Sequence, residues 1–270
     1  ITYSSDLTSW TKIVSSVSYL ENVINPSGKT FASKITQTSS GGYVQLSRTF
    51  TGVETFSAFV KKSSSDFVRF YAGGNSVYFN ILNGTIETIS GSVEDKSITD
   101  FGNGWFRISI TINSTSSSYV RIYPASSGSS TSGLNSLFVY GTQLEASSYA
   151  TSYILTNGSA VTRLQDAAFG SGSSDLINST EGVLYAEIAA LANDNIKKGI
   201  SISNGTTSNR IILRYGNQSN KIEYIVVSGG AIQANMNISS FNILNYLKIA
   251  IKWKLNYFAL WINGVEVRTD

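Results

Sequence analysis

The sequence predicts an all-β protein made of two tandem β-sandwich (jelly-roll) domains, the second of them incomplete. Three observations support this prediction. Apolar and polar residues alternate with a period of two over many short runs, as they do in half-buried strands. Turns rich in glycine and asparagine separate these runs, and the chain has 23 Gly but only 2 Pro. Aromatic residues are abundant, with 15 Tyr and 13 Phe, which is typical of strands and unlike a disordered chain.

Length and charge limit the functions that the chain is expected to have. Its 270 residues are enough for about two domains of ~100–200 residues each. The net charge is only +3 and no run of Lys or Arg stands out, so we expect no nucleic-acid partner. No apolar run reaches the ~18 residues needed to span a bilayer, so we also expect no membrane insertion.

Three strands of the predicted first domain, residues 1–166, repeat aromatic and arginine residues on one face and apolar residues on the other. They cover residues 67–71, 105–112 and 119–123, and the last two are expected to pair as a hairpin around the polar turn 113–118. The purely apolar faces should be core. The other faces carry the candidate site residues: Arg69, Tyr71, Trp105, Arg107, Tyr119, Arg121 and Tyr123.

An aromatic and arginine face has a chemical use in sugar recognition. The C–H face of a sugar ring stacks on Trp or Tyr, and its hydroxyls and carboxylates accept hydrogen bonds from a planar guanidinium. We therefore predict that these seven residues contact glycan. Two alternatives stay open. The face is covered by a loop, a neighbouring protomer or the second domain, or Trp105 and Arg107 only stabilise the fold.

Residues 134–166 form the most informative stretch, LNSLFVYGTQLEASSYATSYILTNGSAVTRLQD. A strand at 137–140 leads through Gly141 and the polar Gln143 and Glu145 into a run rich in tyrosine and hydroxyl groups. We interpret this as the last strand of the first domain followed by an ordered tether. Tyr153 and its neighbours give the tether apolar surface that can pack back on the domain.

This stretch also carries a family resemblance. The order V-Y-G-x-Q-L-E, S-Y-A-T-S-Y-I-x-T and A-V-T-R-x-x-D, with GNGWFR at 102–107 and FSAFVKK at 56–62, resembles a jelly-roll domain of bacteriophage tail and virion-fibre proteins. The resemblance covers roughly residues 1–166. It implies a carbohydrate-binding-module-like sandwich on a phage particle.

Jelly-roll modules often hold a structural calcium ion, and no other cofactor is expected. Asp6, Glu21 and Glu145 lie near the ends of the predicted domain and are the candidate oxygen ligands. Their spacing does not match an EF-hand loop. The alternative role for each is a solvated carboxylate.

The second domain is predicted at residues 182–270, after a linker at 167–181 that is rich in Gly, Ser and Asn. Asn263-Gly264 lies between two apolar runs, the strongest local hairpin signal, because both residues tolerate a positive φ. This hairpin and GVLYAEI at 182–188 resemble concanavalin-A-like or laminin-G-like lectin domains. A complete domain of that kind needs more strands than these residues supply, so we expect it to be truncated.

We predict that the chain is not an enzyme. It has no histidine and no cysteine, which excludes serine or cysteine triads with a histidine base and zinc sites built on these residues. A glycosidase needs only two carboxylates, but the acid pattern on the strand of Glu187 stops after one acid, and Glu223 is isolated.

The aromatic and arginine face predicts binding to a host-surface polysaccharide or glycan, and the resemblance implies that the chain is a non-enzymatic component of a phage virion or tail fibre. Its other expected partners are virion proteins, and a homotrimer is the assembly that the resemblance implies. Two alternatives stay open: a purely structural decoration or joining module, and accessory domains of a polysaccharide depolymerase whose catalytic part lies outside this chain.

Overall fold

The computed structural model describes residues 1–19, 22–162, 172–173 and 175–270. The chain divides into two compact units, Ile1–Leu164 and Gln165–Asp270, each with its own sheets. Nearly all of the regular structure is antiparallel β-sheet, which confirms the all-β prediction and the tandem sandwiches. Much of the predicted linker (167–171 and 174) lies outside the described residues. No helix long and apolar enough to cross a membrane is present in the described ranges.

In the described part of the first unit, twelve strands follow one turn of 3-10 helix at Leu7–Ser9. The strands are β1 (Thr11–Ile13), β2 (Ser15–Ser18), β3 (Ser33–Gln37), β4 (Tyr43–Thr49), β5 (Gly52–Lys62), β6 (Phe67–Ala72), β7 (Asn75–Asn80), β8 (Thr85–Ser90), β9 (Asp95–Asp100), β10 (Trp105–Ser114), β11 (Ser117–Ala125) and β12 (Ser136–Glu145).

These strands form two six-stranded sheets, in the orders β1-β4-β11-β6-β7-β8 and β2-β3-β12-β5-β10-β9. The apolar faces of the two sheets enclose one core. Phe56 of β5 and Phe70 of β6 stack across it with ring centroids 4.7 Å apart, and both are fully buried. The alternation in the sequence therefore marks the core-facing residues of β6, β10 and β11 correctly. It does not show that β5 and β10 also bury residues of their other faces, such as Phe59 and Trp105.

The predicted hairpin between the strands now labelled β10 and β11 is wrong. The two strands belong to different sheets: β10 pairs with β5 and β9, and β11 pairs with β4 and β6. Their apolar faces, which include Ile110 and Ile122, meet in the same core from opposite sides. Periodicity determines which face of a strand is buried, but it does not determine the strand's partner.

The tether after β12 packs back on the first unit, as predicted. The pairing of β12 with β5 is irregular between Tyr140 and Gln143, where Gly141 has a φ of 63°. An added Cβ at Gly141 would lie 3.0 Å from Phe59 and 3.2 Å from Tyr153. Glycine thus permits both the turn of the backbone and the close approach of the Tyr153 ring.

In the described part of the second unit, eight strands form two four-stranded sheets, β13-β18-β19-β20 and β14-β15-β16-β17, around a separate core. The strands are β13 (Glu181–Ile188), β14 (Lys198–Ser203), β15 (Arg210–Tyr215), β16 (Ile222–Ser228), β17 (Ala231–Ile238), β18 (Leu247–Lys254), β19 (Tyr257–Ile262) and β20 (Val265–Thr269).

The turn between β19 and β20 is the hairpin that the sequence predicts. Asn263 and Gly264 have φ values of 51° and 83°, the positive values that a tight two-residue hairpin turn requires. In contrast, the polar strand β17 was not among the predicted strands.

Candidate functional site

The outer surface of the sheet β1-β4-β11-β6-β7-β8 carries a cluster of tyrosines and arginines, which we call the tyrosine–arginine face. It belongs to the four neighbouring strands β4, β11, β6 and β7. Its members are Tyr43, Gln45, Arg69, Tyr71, Ser76, Tyr78, Tyr119, Arg121 and Tyr123. Five of the seven predicted site residues are in this set.

Antiparallel register explains how these side chains come together. Arg121 of β11 is paired with Gln45 on one side and with Tyr71 on the other. One step along the sheet, Tyr123 of β11 is paired with Arg69 of β6. Because residues opposite each other project to the same side of a sheet, the two arginines become diagonal neighbours separated by tyrosines.

Arg121 lies among three rings. Its guanidinium carbon is 4.7 Å from the ring centroids of both Tyr71 and Tyr119 and 5.0 Å from that of Tyr43. Its Nε donates to Gln45 Oε1 at 3.0 Å, and its Nη1 donates to the Tyr123 hydroxyl oxygen at 3.3 Å. These contacts hold the guanidinium over the sheet in a defined position.

Arg69 has a similar environment. Its guanidinium carbon is 5.0 Å from the ring centroid of Tyr123, 5.6 Å from that of Tyr78 and 6.0 Å from that of Tyr71. Its Nη2 donates to Ser76 Oγ at 3.2 Å. Its Nε is buried and has no hydrogen-bond acceptor among the described residues.

The tyrosine–arginine face is positively charged and only partly open. Neither Arg69 nor Arg121 forms a salt bridge within the described ranges of the chain. Burial raises the pKa of Tyr123, although its hydrogen bond with Arg121 and the charges of both arginines oppose this. Tyr123 is 5% exposed and Tyr119 is 36% exposed, so a ligand would reach the face at the Tyr119 side.

Trp105 and Arg107 are not part of this face. They lie on β10, in the other sheet, so the structure does not bring them together with the other five predicted residues. Trp105 is 1% exposed and packs against Phe59 and Tyr140. Of the alternatives open for this pair, the structure favours a role in holding the fold together.

Arg107 joins β10 to the tether. Its Nη2 donates to the carbonyl oxygen of Thr151 and lies 3.4 Å from Ser57 Oγ, and its guanidinium carbon is 5.4 Å from the Phe59 ring centroid. The tether is the covering segment, and its Tyr153 ring makes an edge contact with the Phe59 ring, with the centroids 6.3 Å apart. A loop therefore covers this outer surface.

Tyr43 and Tyr78 are members of the tyrosine–arginine face that the sequence interpretation missed. Each lies next to a buried apolar residue, Val44 and Val77 respectively, so the alternation alone places both on an outer face. What the sequence does not show is that β4 and β7 flank β11 and β6. Without this pairing, nothing connects the two tyrosines to Arg69 and Arg121.

The calcium hypothesis gains no support from the described residues. Asp6 caps the 3-10 turn and accepts hydrogen bonds from Thr8 N at 2.9 Å and Thr8 Oγ1 at 2.6 Å. Glu145 accepts from the N–H of Thr151 at 3.0 Å and from its hydroxyl. Within these ranges no three acidic side chains gather where they could hold a metal ion, and Glu21 lies outside the described residues.

A cleft of about 290 Å³ in the first unit is a further concave surface. Three aromatic rings, those of Tyr3, Tyr19 and Phe31, line it together with Asp6 and Asn157. No guanidinium is among the described residues that line it, so this lining lacks the charge that distinguishes the tyrosine–arginine face.

The two carboxylates of the second unit that were weighed for catalysis lie in different sheets. Glu187 is on β13, and Glu223 is on β16. Glu223 is buried and forms ion pairs with Arg214 at 2.5 Å and Lys221 at 2.9 Å. Burial raises its pKa, but the bonds to Lys221 and Arg214 outweigh this and hold the pKa below the usual value.

The outer surface of the sheet β13-β18-β19-β20 is also aromatic. Tyr185 and Trp261 are both paired with Ala250, from opposite sides, and are 57% and 38% exposed. Tyr257 lies nearby with the Lys252 Nζ 5.0 Å from its ring centroid. This surface carries large rings but no arginine at its centre.

The fold and these surfaces define a protein of the all-β, tandem β-sandwich class with an outward-facing aromatic and cationic surface. Comparison of the sequence with protein-family models finds no match, and comparison with curated proteins finds no significant similarity.

Proposed function

We propose that this chain is a non-enzymatic, glycan-binding component of a bacteriophage virion fibre, which attaches the particle to a host-surface polysaccharide. The tyrosine–arginine face is the observation that supports this proposal most directly. The resemblance of residues 1–166 to virion-fibre jelly rolls supports the phage assignment. A homotrimer and contacts with other virion proteins belong to the same proposal.

The arrangement suits a sugar in two ways. The rings of Tyr71 and Tyr119 each lie 4.7 Å from the Arg121 guanidinium carbon and offer apolar surface for stacking. The guanidinium beside them provides N–H donors for ring hydroxyls. Neither contact requires a reacting group, so the face binds without breaking bonds.

A glycan array and polysaccharide pull-downs with single variants test the proposal. Tyr119→Ala and Tyr71→Ala should weaken binding about tenfold each, because each removes a stacking ring (a tenfold change is ~1.4 kcal/mol). Tyr246→Ala is the matched control, since Tyr246 is 76% exposed and belongs to the second unit. Unchanged binding in both test variants would remove this face from consideration.

A structural role as a joining module is the second candidate function. The exposed Val183, Tyr185 and Trp261 on the second unit favour it, because exposed apolar side chains that adjoin one another often mark protein–protein contacts. Sedimentation velocity of the chain and of a Tyr185→Ser/Trp261→Ser double variant tests this role. Loss of an oligomer in the double variant supports it, and a monomer in both contradicts it.

A further inference from the structure

We infer that the tyrosine–arginine face selects an acidic saccharide, with a sugar carboxylate bound at Arg121 and Arg69. This inference rests on the proposed glycan-binding function and adds the chemical class of the ligand. It is drawn from the hydrogen bonds, the charges and the register of the two arginines.

Both guanidinium groups have N–H donors that the described residues leave unused. Each guanidinium carries five N–H donors. Arg121 uses two nitrogens, Nε toward Gln45 and Nη1 toward Tyr123, and Arg69 uses Nη2 toward Ser76. The Arg121 Nη2 and the Arg69 Nη1 have no acceptor in the described part of the chain, so both nitrogens can donate to oxygen atoms of a ligand.

The charges of Arg69 and Arg121 also favour an acidic ligand. In the described ranges, both arginines lack a carboxylate partner, whereas Arg48 and Arg214 in the same chain each pair with a glutamate. The same sheet carries Glu87 on β8, the strand next to β7. It accepts from Thr85 Oγ1 at 2.8 Å and makes no ion pair among the described residues. Two uncompensated cations on one surface favour an anion.

The spacing of the two arginines suits a single carboxylate. Arg69 and Arg121 are diagonal neighbours on adjacent strands, at a typical separation of roughly 7–8 Å that long side chains can bridge. A guanidinium binds a carboxylate through two parallel hydrogen bonds, which a neutral hydroxyl cannot match. The flanking tyrosines keep the sugar ring of the same residue in contact with the sheet.

Binding to polysaccharides of defined charge tests the inference. The panel contains polygalacturonate, alginate and hyaluronan, the carboxyl-reduced neutral form of each, and dextran sulfate. At least one of the three uronate polymers should bind. Its reduced form should bind at least about tenfold weaker, and binding of the acidic form should weaken as salt is added, because salt screens exposed charges.

Variants assign the effect to the two arginines. Arg121→Gln and Arg69→Gln should each reduce uronate binding about tenfold, and Arg121→Lys should restore only part of the loss, because lysine keeps the charge but not the planar donor pair. Lys34→Gln is the matched control: it removes a cation that lies 5.6 Å from the Phe138 ring centroid on the other sheet. Circular dichroism checks that each variant is folded. If a variant does not fold, the salt dependence of binding by the unmodified protein still tests the inference.

The outcomes separate the inference from the proposed function. Binding to neutral glycans alone, or equal binding of each uronate polymer and its reduced form, overturns the inference while glycan binding stands. Dextran sulfate binding as tightly as the uronates overturns the assignment to a carboxylate. If no polymer of the panel and no neutral glycan binds, both the inference and the proposed glycan-binding function are contradicted.

Discussion

The indole Nε1 of Trp105 donates a hydrogen bond to the backbone carbonyl oxygen of Ile24 at 2.8 Å. This bond connects β10 to the segment before β3, from which Ala32 and Phe31 pack on the same cluster. The most conspicuous aromatic residue of the predicted site thus holds two parts of the first unit together.

Trp105→Phe should lower the free energy of unfolding by about 1–3 kcal/mol, because it leaves the Ile24 carbonyl without its donor and opens space in a packed cluster. Glycan binding should be unchanged. Chemical denaturation and the polysaccharide pull-down measure the two effects. Lost binding at full stability would instead place Trp105 in the ligand site.

Gly141→Ala should destabilise the first unit by about 1–3 kcal/mol, since the added methyl would meet Phe59 and Tyr153 in a strained backbone conformation. Gly28→Ala is the control. Gly28 also has a positive φ, of 80°, but an added Cβ there meets nothing within 4 Å. Equal losses for both variants would show that the backbone conformation, and not the contact with the tether, is responsible.

The tether should loosen at alkaline pH. Burial raises the pKa of Tyr153 to about 12, despite its hydrogen bond to Ser4 Oγ at 2.6 Å. The folded state therefore holds this proton more tightly than the unfolded state, whose tyrosine pKa is about 10. The resulting stability is fully present below pH ~10 and is lost as the pH rises toward the folded pKa.

The free energy of unfolding, measured at pH values from neutral up to the folded-state pKa of Tyr153, checks this predicted loss of stability. Tyr153→Phe should lose less stability at alkaline pH than the unmodified chain does. Tyr246→Phe is the control: because Tyr246 is exposed, this variant should lose as much stability as the unmodified chain. An identical alkaline loss in Tyr153→Phe would contradict the assignment.

Acid should weaken the second unit through Glu223. Lys221 and Arg214 hold the pKa of Glu223 below its usual value in the folded state. The stability that these contacts contribute is therefore fully present above the ordinary glutamate pKa of about 4.3, and it disappears as the pH falls through the lower folded-state pKa. At neutral pH, Glu223→Gln should cost about 1.5–3 kcal/mol, the usual contribution of a hydrogen bond to a charged group.

Thermal unfolding of Glu223→Gln over a pH series measures this contribution, with Glu187→Gln as the control because Glu187 is exposed and forms no salt bridge in the described ranges. The Glu223 variant should lose less stability on acidification than the unmodified chain. If the stability of Glu223→Gln and that of the unmodified chain fell in parallel with pH, the ion pairs of Glu223 would be ruled out as the cause of the acid sensitivity.

Local patterns predicted the core-facing residues of β6, β10 and β11, because alternation depends on the residues of one strand only. They also predicted the turn at Asn263 and Gly264, where the residues themselves set the backbone conformation. The strand β17 escaped detection since its sequence, AIQANMNI, has few large apolar residues and gains its place by pairing with β16.

Pairing between distant strands explains what was missed at the site. Arg69 and Arg121 could be placed on outer faces, but their proximity depends on the pairing of β6 with β11. Likewise, nothing near Trp105 in sequence indicates that residues 23–32 and the tether cover it. Both facts depend on contacts between distant parts of the chain.

The rings that surround Arg121 reduce the side-chain entropy that is lost when a ligand binds. A free arginine side chain carries roughly 2 kcal/mol of rotamer entropy, which it loses when a partner immobilises it. Here Tyr71, Tyr119 and Gln45 already restrict it in the free protein. Most of that entropy is therefore lost during folding, and we expect a preorganised surface whose free and bound conformations superimpose.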